Sequence, residues 1–282
     1  MNSEARTYHG IVSSLPNISL DGNTPTDEQN LATRYADFIH PTDLWLLQLA
    51  YMPADHANLL NKLYSRKLPF NQNANFSPQQ LETIIAGKWL PYPYLNDFFT
   101  HWWQHHGKAE TYADSEIELT HGFYRFLLNC GNVFLQKWSR YVLELNNFSL
   151  MQYKAHGLPN MRDQLVAQDE VAYLVGKYQA MSEQEALIPV TQTAEIWNTE
   201  NPMEREKMLD TLKWQFIETE QFFYFFGIEK IIGYALQQQI SHRWYRLNQL
   251  QNLPSSGLLL KNILSDLVAQ LIQPIHQTQA KL

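Results

Sequence analysis

Apolar residues recur along much of the chain at steps of three and four, which is the period of an α-helix. The clearest run extends from Phe123 to Phe148, where successive steps are 4, 3, 4, 4, 3, 4 and 3. We predict one helix here, opened by a capping box at Ser115–Glu118 and closed near Gly157. About 40 residues at 1.5 Å each would give a rod of roughly 60 Å.

A second long helix is predicted from about Pro202 to Leu247, with proline in its first turn. It contains the stretch FIETEQFFYFFGIEK at residues 216–230. On a helical wheel of residues 209–236, apolar side chains cover the helix nearly all round, so we expect a central and largely buried helix.

Shorter elements are predicted by local start and stop signals. Residues 8–20 are broken by a proline, and we expect an extended lead-in within residues 1–25. Thr26 or Asp27 would cap a helix that ends near Ile39, before a His-Pro pair.

The signals continue further along the chain. Ser77, followed by proline, starts a helix that Gly87 stops. Two short helices are expected within residues 160–200, and a C-terminal helix over 256–273 lies within the tail at 248–282. Because no sharp linker interrupts the pattern, we predict a single domain over residues 1–282, an all-α, elongated multi-helix bundle with two long helices.

Composition and charge argue against several classes of function. Apolar residues make up 45% of the 282 residues, which is enough for a sizeable core. The net charge of −7 and the lack of a basic stripe argue against a nucleic-acid partner. With one cysteine, neither an intramolecular disulfide nor a cysteine metal cluster can form. Without a signal-like or membrane-length apolar run, we expect a soluble intracellular protein.

Glu218 and Glu229 are the carboxylates of the aromatic segment. On one helix they would lie three turns apart, roughly 16 Å along the axis. A pair of catalytic carboxylates works at about 5 to 9.5 Å, so we do not interpret them as an acid–base pair. Charges on a buried helix are costly unless they are paired, and we expect each to contact Arg, Lys or Tyr of a neighbouring helix.

Candidate metal ligands are few. Glu118 and His121 form one Glu-x-x-His tetrad, whereas di-iron bundles need two, and Glu118 is already explained by the capping box. His101 and His105 have a spacing that can hold zinc, with His106 beside them, but no carboxylate of an HExxH motif accompanies them. We favour surface histidines and predict neither a metal nor a cofactor.

Nucleophilic and phosphate-binding motifs are absent from the sequence. Cys130 lies on the apolar stripe of the first long helix, where cysteine usually acts as a small buried hydrophobe. No G-x-S-x-G, G-x-x-x-x-G-K-[ST] or G-x-G-x-x-G occurs. We therefore predict no catalytic residues, and a binding or structural role rather than an enzyme.

Six blocks of the sequence between about Tyr8 and Leu247 carry a resemblance to a known family. They are IVSSLPNISLDG, ANLLNKLY, NFSPQQLETII, PYLNDFF, FLQKWSRYVLELNNFSLMQYKAHGL and NPMEREKMLDTLKWQFIETEQFFYFFGIEKIIGYALQQQISHRWYRL. These blocks resemble a bacterial family encoded among the components of V/A-type ATP synthases. This family is regarded as the counterpart of the central-stalk component that is known as C in archaea and as d in eukaryotes.

The resemblance implies an all-helical, funnel-shaped rotor subunit without catalytic residues. Such a protein sits on the cytoplasmic face of the membrane rotor ring, receives the central shaft, and couples ATP hydrolysis or synthesis to ion transport. Its partners would be the rotor-ring and central-shaft subunits, and it would contact the membrane only through the ring. The chain is shorter than its archaeal counterpart, so we expect one of the three helical units of the funnel to be reduced.

Two other classes of protein remain as alternatives. One is a cytosolic all-helical chaperone or scaffold for a redox enzyme. The other is a helical metalloenzyme built on Glu118, His121, Glu218 and Glu229. In the rotor interpretation, Glu218 and Glu229 either fix helix register, which we favour, or line the socket for a partner.

Overall fold

The computed structural model describes residues 6–21, 29–105, 111–155 and 187–251, and within these ranges the chain is helical without any strand. The predicted all-α, multi-helix fold is thus confirmed for the described residues. The helices are α1 (His9–Ser14), α2 (Leu31–Arg34), α3 (Pro41–Leu49), α4 (Met52–Leu63), α5 (Pro78–Ile85), α6 (Pro93–His105), α7 (Tyr112–Leu127), α8 (Val133–Ala155), α9 (Val190–Ile196), α10 (Pro202–Gln221) and α11 (Ile228–Gln251).

The chain divides into two compact units. Of the described residues, those up to Lys88 and those from Trp214 onward belong to the first unit, and Trp89–Lys213 belongs to the second. A compact unit can be a whole domain or part of one, so the prediction of a single domain over residues 1–282 stays a prediction.

The helix predicted over residues 202–247 is in fact two helices, and the prediction was wrong. α10 ends at Gln221, α11 begins at Ile228, and the sequence FFYFFG forms the turn between them. Gly227 immediately precedes α11, and Glu229 lies in its first turn, where the helix dipole favours a carboxylate. The apolar spacing concealed the turn because it continues unbroken from one helix into the next.

The other long helix was also wrongly predicted as continuous. α7 and α8 are separated by a turn at residues 128–132. Gly131 has φ of +80°, the left-handed region that glycine adopts without a steric penalty. The Asn132 side chain then accepts a 3.0 Å hydrogen bond from the backbone N–H of Leu135, which caps the start of α8.

The N-terminal segment differs from the extended lead-in that we expected. Residues 9–14 form α1, and Ile11 is buried. Asn30, rather than Thr26 or Asp27, caps the next helix, its side chain accepting from two backbone N–H groups. That helix ends at Arg34. Thr26 and Asp27 lie outside the described residues.

Other local signals gave the observed boundaries. Ser77 forms a capping box with Gln80, and Gly87 ends the segment with φ of +67°. Of the two helices expected within residues 160–200, α9 lies in the described part of the chain, and residues 160–186 lie outside it. The helix expected over 256–273 also lies outside the described residues.

The core of the first unit forms where α11 packs on α3 and α1. A polar seam crosses this core. The Tyr51 hydroxyl accepts from the backbone N–H of Leu31 at 3.1 Å and lies 3.4 Å from the Gln238 side-chain oxygen. Gln239 donates to the carbonyl of Ala50 at 3.1 Å. These bonds fix the register of α11 because a shift would leave buried polar groups unpaired.

A buried carboxyl organises the loop at residues 71–76. Asp55 of α4 is 2% exposed and accepts from the backbone N–H groups of Asn75 and Phe76 and from the Asn75 side chain, at 2.7 to 3.1 Å. Burial raises the pKa of Asp55 to about 7, while these three hydrogen bonds lower it. The neighbouring Asn58 exchanges two hydrogen bonds with the backbone of Asn71.

The second unit is held together by aromatic packing. α6 packs on α7 and α7 on α8. The Tyr94 ring lies 5.5 Å from both Phe123 and Phe126. The Tyr141 hydroxyl donates to the carbonyl of Leu212 at 3.2 Å, which ties α8 to α10. In the described part of the chain, no helix combines the length and hydropathy needed to cross a membrane.

Candidate functional site

The turn between α10 and α11 carries the most unusual surface in the first unit. We call residues 222–226, FFYFF, the aromatic loop. Phe222, Phe223 and Phe225 are 72%, 77% and 72% exposed, and the first two rings contact each other edge to face at 5.4 Å. The expectation of a largely buried element was therefore wrong for these three residues, whereas Ile217 and Ile231 on either side of the loop are buried.

The aromatic loop is held in place from both ends. The backbone N–H of Tyr8 donates to the carbonyl of Phe226 at 2.7 Å, and the His9 ring lies 3.8 Å from the Phe226 ring. At the base, the Gln221 side chain donates to the carbonyl of Lys230 at 3.0 Å. The Lys230 ammonium donates back to the Gln221 side-chain oxygen at 3.3 Å. These contacts fix the backbone while leaving the three phenylalanine side chains open to solvent.

Tyr8 is itself anchored in the first unit. Its hydroxyl donates to Asp43 and accepts from the backbone N–H of His40, and Arg6 pairs with the same Asp43 at 3.2 Å. Burial, together with the hydrogen bond to Asp43, raises the pKa of Tyr8 to about 12. A fourth exposed phenylalanine, Phe38 at 73%, lies two residues before His40. Tyr8 thus connects the aromatic loop with the segment that carries Phe38.

Glu218 and Glu229 flank the aromatic loop on separate helices. Glu218 is exposed and accepts a 2.8 Å hydrogen bond from the Trp214 indole of its own helix, so the expected partner on a neighbouring helix was wrong for this residue. Glu229 is half-buried, and its Oε2 lies 2.6 Å from where a Cβ would stand on Gly227. Because the two carboxylates lie on separate helices, the distance of roughly 16 Å along one helix axis does not describe their separation.

A groove of about 720 Å³ lies between α6 and α7 in the second unit. The His101 Nδ1 lies 2.8 Å from the Glu118 Oε2 across this groove. Its lining combines aromatic walls with charged side chains of both signs. The lining residues are Pro93, Tyr94, Asp97, Phe98, His101, Asp114, Ile117, Glu118, His121, Gly122, Arg125 and Phe126.

Glu118 has a different role from the predicted one. The capping box of α7 is formed by Thr111 and Asp114, so Glu118 takes no part in it and turns towards His101 instead. Along the same face, His121 has a buried Nε2 without a hydrogen-bond partner among the described residues. Burial lowers the pKa of His121, and the nearby Arg125 lowers it further, so the imidazole is neutral at neutral pH.

The metal-ligand candidates do not converge. Among the described residues, no three His, Cys, Asp or Glu side chains are grouped so that they could hold a metal ion. Glu118, His121, Glu218 and Glu229 are all among the described residues, and none of them belongs to such a group. The side chain of His105 and all of His106 lie outside the described residues.

Cys130 lies in the turn between α7 and α8, not on a helical stripe as predicted. It is half-buried, and its Sγ is 3.9 Å from the carbonyl oxygen of Asn132. Burial raises the pKa of the thiol. Because the thiolate is the reactive form, this environment does not activate Cys130 as a nucleophile.

The described residues thus define an all-α protein with an exposed aromatic loop in one unit and a mixed aromatic and charged groove in the other. The model of the family described as "Protein of unknown function (DUF2764)" matches residues 5–267. The chain belongs to this family. Searches of the curated proteins and of the solved structures found no match.

The exposed phenylalanines are the residues that sequence reasoning missed. Gly227 followed by an acidic residue two positions later is a stop-and-start signal that could have revealed the turn. The anchors Tyr8 and His9 carried no such signal, because they lie more than 200 residues from the loop.

Proposed function

We propose that the protein is a non-catalytic central-stalk subunit of a V/A-type ATP synthase or ATPase. In this role it links the shaft to the membrane rotor ring and couples ATP hydrolysis or synthesis to ion transport. The observation that carries the proposal is the aromatic loop. Burying a phenylalanine side chain contributes roughly 1.5 to 3 kcal/mol, so docking three that are about three quarters exposed would contribute about 3 to 7 kcal/mol before association costs.

The rest of the molecule is compatible with this role. The sequence resemblance is the basis for the assembly that we propose. The buried hydrogen bonds between α11 and the turn that joins α3 to α4 would stiffen the unit that carries the aromatic loop. We place the protein at the inner face of the cell membrane, peripheral to it and in contact with it through the rotor ring. Under the proposal the chain forms a funnel like that of the archaeal and eukaryotic central-stalk counterparts.

A chaperone or scaffold for a redox enzyme is the second candidate. The groove between α6 and α7 favours it, because aromatic walls with charged groups along them suit a bound polypeptide segment. This protein would be recovered with a soluble enzyme rather than with membrane subunits.

The test is co-purification of the tagged protein from its native membranes in mild detergent, followed by mass spectrometry. We would compare the wild type with a variant carrying Phe222→Ser, Phe223→Ser and Phe225→Ser. Val133→Ser, at a position 57% exposed in the other unit, is the matched control. Circular dichroism would establish that all three proteins are folded.

The rotor proposal expects ring and shaft subunits with the wild type and the control, and their loss with the triple variant. Recovery with a soluble redox enzyme alone would favour the chaperone. Ring and shaft subunits bound equally by all three proteins would show that the aromatic loop is not the docking surface.

A further inference from the structure

We propose that the aromatic loop binds an amphipathic helix of a partner protein whose apolar face is bordered by Lys or Arg residues, an inference that rests on the docking function proposed above. The occupant follows from three properties of the loop, namely its exposed apolar area, its fixed backbone and the sign of the charge around it.

The exposed apolar area of the aromatic loop is similar to that of the core of a protein–protein interface. Phe222, Phe223 and Phe225 are 72% to 77% exposed. An aromatic side chain offers roughly 150 to 250 Å², so the three present about 450 Å². A standard interface buries about 800 Å² on each partner, and its centre is aromatic with a polar rim. The loop therefore supplies about half of one partner's contact area and needs a polar border to complete it.

The loop is also preorganised. Its backbone is fixed by the hydrogen bond from Tyr8 to Phe226 and by the pair of hydrogen bonds between Gln221 and Lys230. A surface that is already ordered loses little conformational entropy on binding, so more of the burial energy appears as affinity.

The border of the loop is acidic. Of the three carboxylates within residues 218–230, Glu218 is the exposed one. Two cations beside the loop are engaged, because the Lys230 ammonium donates to Gln221 and Arg6 pairs with Asp43. Glu218 is exposed and lies one helical turn before Phe222. A partner that covers the rings must therefore meet carboxylates at the edge, and Lys or Arg residues provide the complementary charge.

The acidic charge around the loop disfavours two other occupants, a second copy of the chain and a membrane surface. In a symmetric dimer the carboxylates at the border of one loop would face those of the other, and like charges that meet across an interface are unfavourable. Membrane-surface anchors use Lys and Arg beside their apolar residues to meet anionic lipids, whereas this loop carries carboxylates. A helix fits because it presents an apolar stripe with charged positions on both sides.

The test measures binding of the full chain to two helical peptides by fluorescence anisotropy. Both peptides have the same leucine face, bordered by Lys in one and by Glu in the other. The proteins are the wild type, the Phe222→Ser, Phe223→Ser, Phe225→Ser variant, Glu218→Gln, and Glu204→Gln as a matched exposed glutamate in the second unit. Vesicles of neutral and of anionic lipid, and sedimentation of the free protein, cover the other occupants.

We expect the lysine peptide to bind the wild type at least about tenfold more tightly than the glutamate peptide. The triple variant should weaken that binding by about tenfold or more. Glu218→Gln should weaken it about threefold and flatten its salt dependence, whereas Glu204→Gln should leave both unchanged. Equal affinity for the two peptides, binding to vesicles through the phenylalanines, or a dimer that the triple variant abolishes would overturn the inference.

The two proposals can fail separately. Ring and shaft subunits recovered through the phenylalanines, without peptide selectivity, would leave the docking function standing and refute the basic partner. Peptide selectivity together with recovery of other proteins would refute the rotor assignment and support the partner chemistry.

Discussion

The contact between α10 and α11 at Gly233 decides how the aromatic loop is presented. Gln221, the last residue of α10, is 4% exposed and lies directly over this glycine. A Cβ on Gly233 would stand 1.7 Å from the Nε2, 2.4 Å from the Cδ and 2.9 Å from the Cγ of Gln221. Atoms cannot approach this closely, so Gly233→Ala must displace most of the Gln221 side chain.

The expected cost follows from what that side chain does. Its two hydrogen bonds to Lys230 contribute about 0.5 to 1.5 kcal/mol each, and overpacking costs about 1 to 3 kcal/mol. Replacing glycine by alanine inside a helix returns about 1 kcal/mol. We therefore expect Gly233→Ala to lower the free energy of unfolding by about 1 to 5 kcal/mol, measured by urea denaturation with circular dichroism.

A double-mutant cycle makes the reasoning refutable. Gln221→Ala removes the clashing atoms, so in that background Gly233→Ala should stabilise the protein by about 1 kcal/mol. Gly122→Ala is a matched control, because its Cβ would meet Tyr94 at an ordinary 3.5 Å and should also stabilise. If Gly233→Ala stabilises the wild type as much as it stabilises the Gln221→Ala protein, Gln221 does not occupy this position.

Four further predictions concern stability and can be measured by urea denaturation. Gly131→Ala should destabilise the protein by about 1 to 2 kcal/mol, because Gly131 has φ of +80°. If α7 and α8 were one continuous helix, the same substitution would instead stabilise the protein by about 1 kcal/mol. The pKa of buried Asp55 is raised from 3.8 to about 7, so its contribution to stability falls by up to about 4 kcal/mol as pH rises through that window. The pKa of buried His56 is lowered from 6.5 to about 3, so the contribution of this residue to stability rises with pH. Relative to the wild type, His56→Gln should therefore lose stability as pH rises from about 4 to 6.5. A pH profile parallel to that of the wild type would contradict this. Glu218→Ala should cost about 1 kcal/mol or less, because the carboxylate is exposed and loses one hydrogen bond from Trp214; a larger loss would show a buried role.

Local chemistry in the sequence determined the class of fold and several helix ends. Ser77 with the proline after it starts α5, and Gly87 ends the segment, because caps and left-handed residues act over one turn and need no distant partner. The all-α class could be predicted from the spacing of apolar residues, because this spacing is likewise a local property of the chain.

The spacing of apolar residues did not predict the helix ends at the two turns across which the spacing continues. The spacing runs through residues 128–132 and 222–227 because apolar residues also occur within each turn. Gly131, Asn132 and Gly227 were the local signs of interruption, and each was outweighed by the longer pattern.

Only the tertiary structure decided the candidate sites. Exposure of the aromatic loop depends on Tyr8 and His9, which hold Phe226 from the far end of the chain and leave the other rings uncovered. The contact between His101 and Glu118 likewise exists because α6 packs on α7. A sequence records which side chains are apolar or charged, but burial and pairing are properties of the neighbours that folding brings together, and those neighbours are distant in the chain.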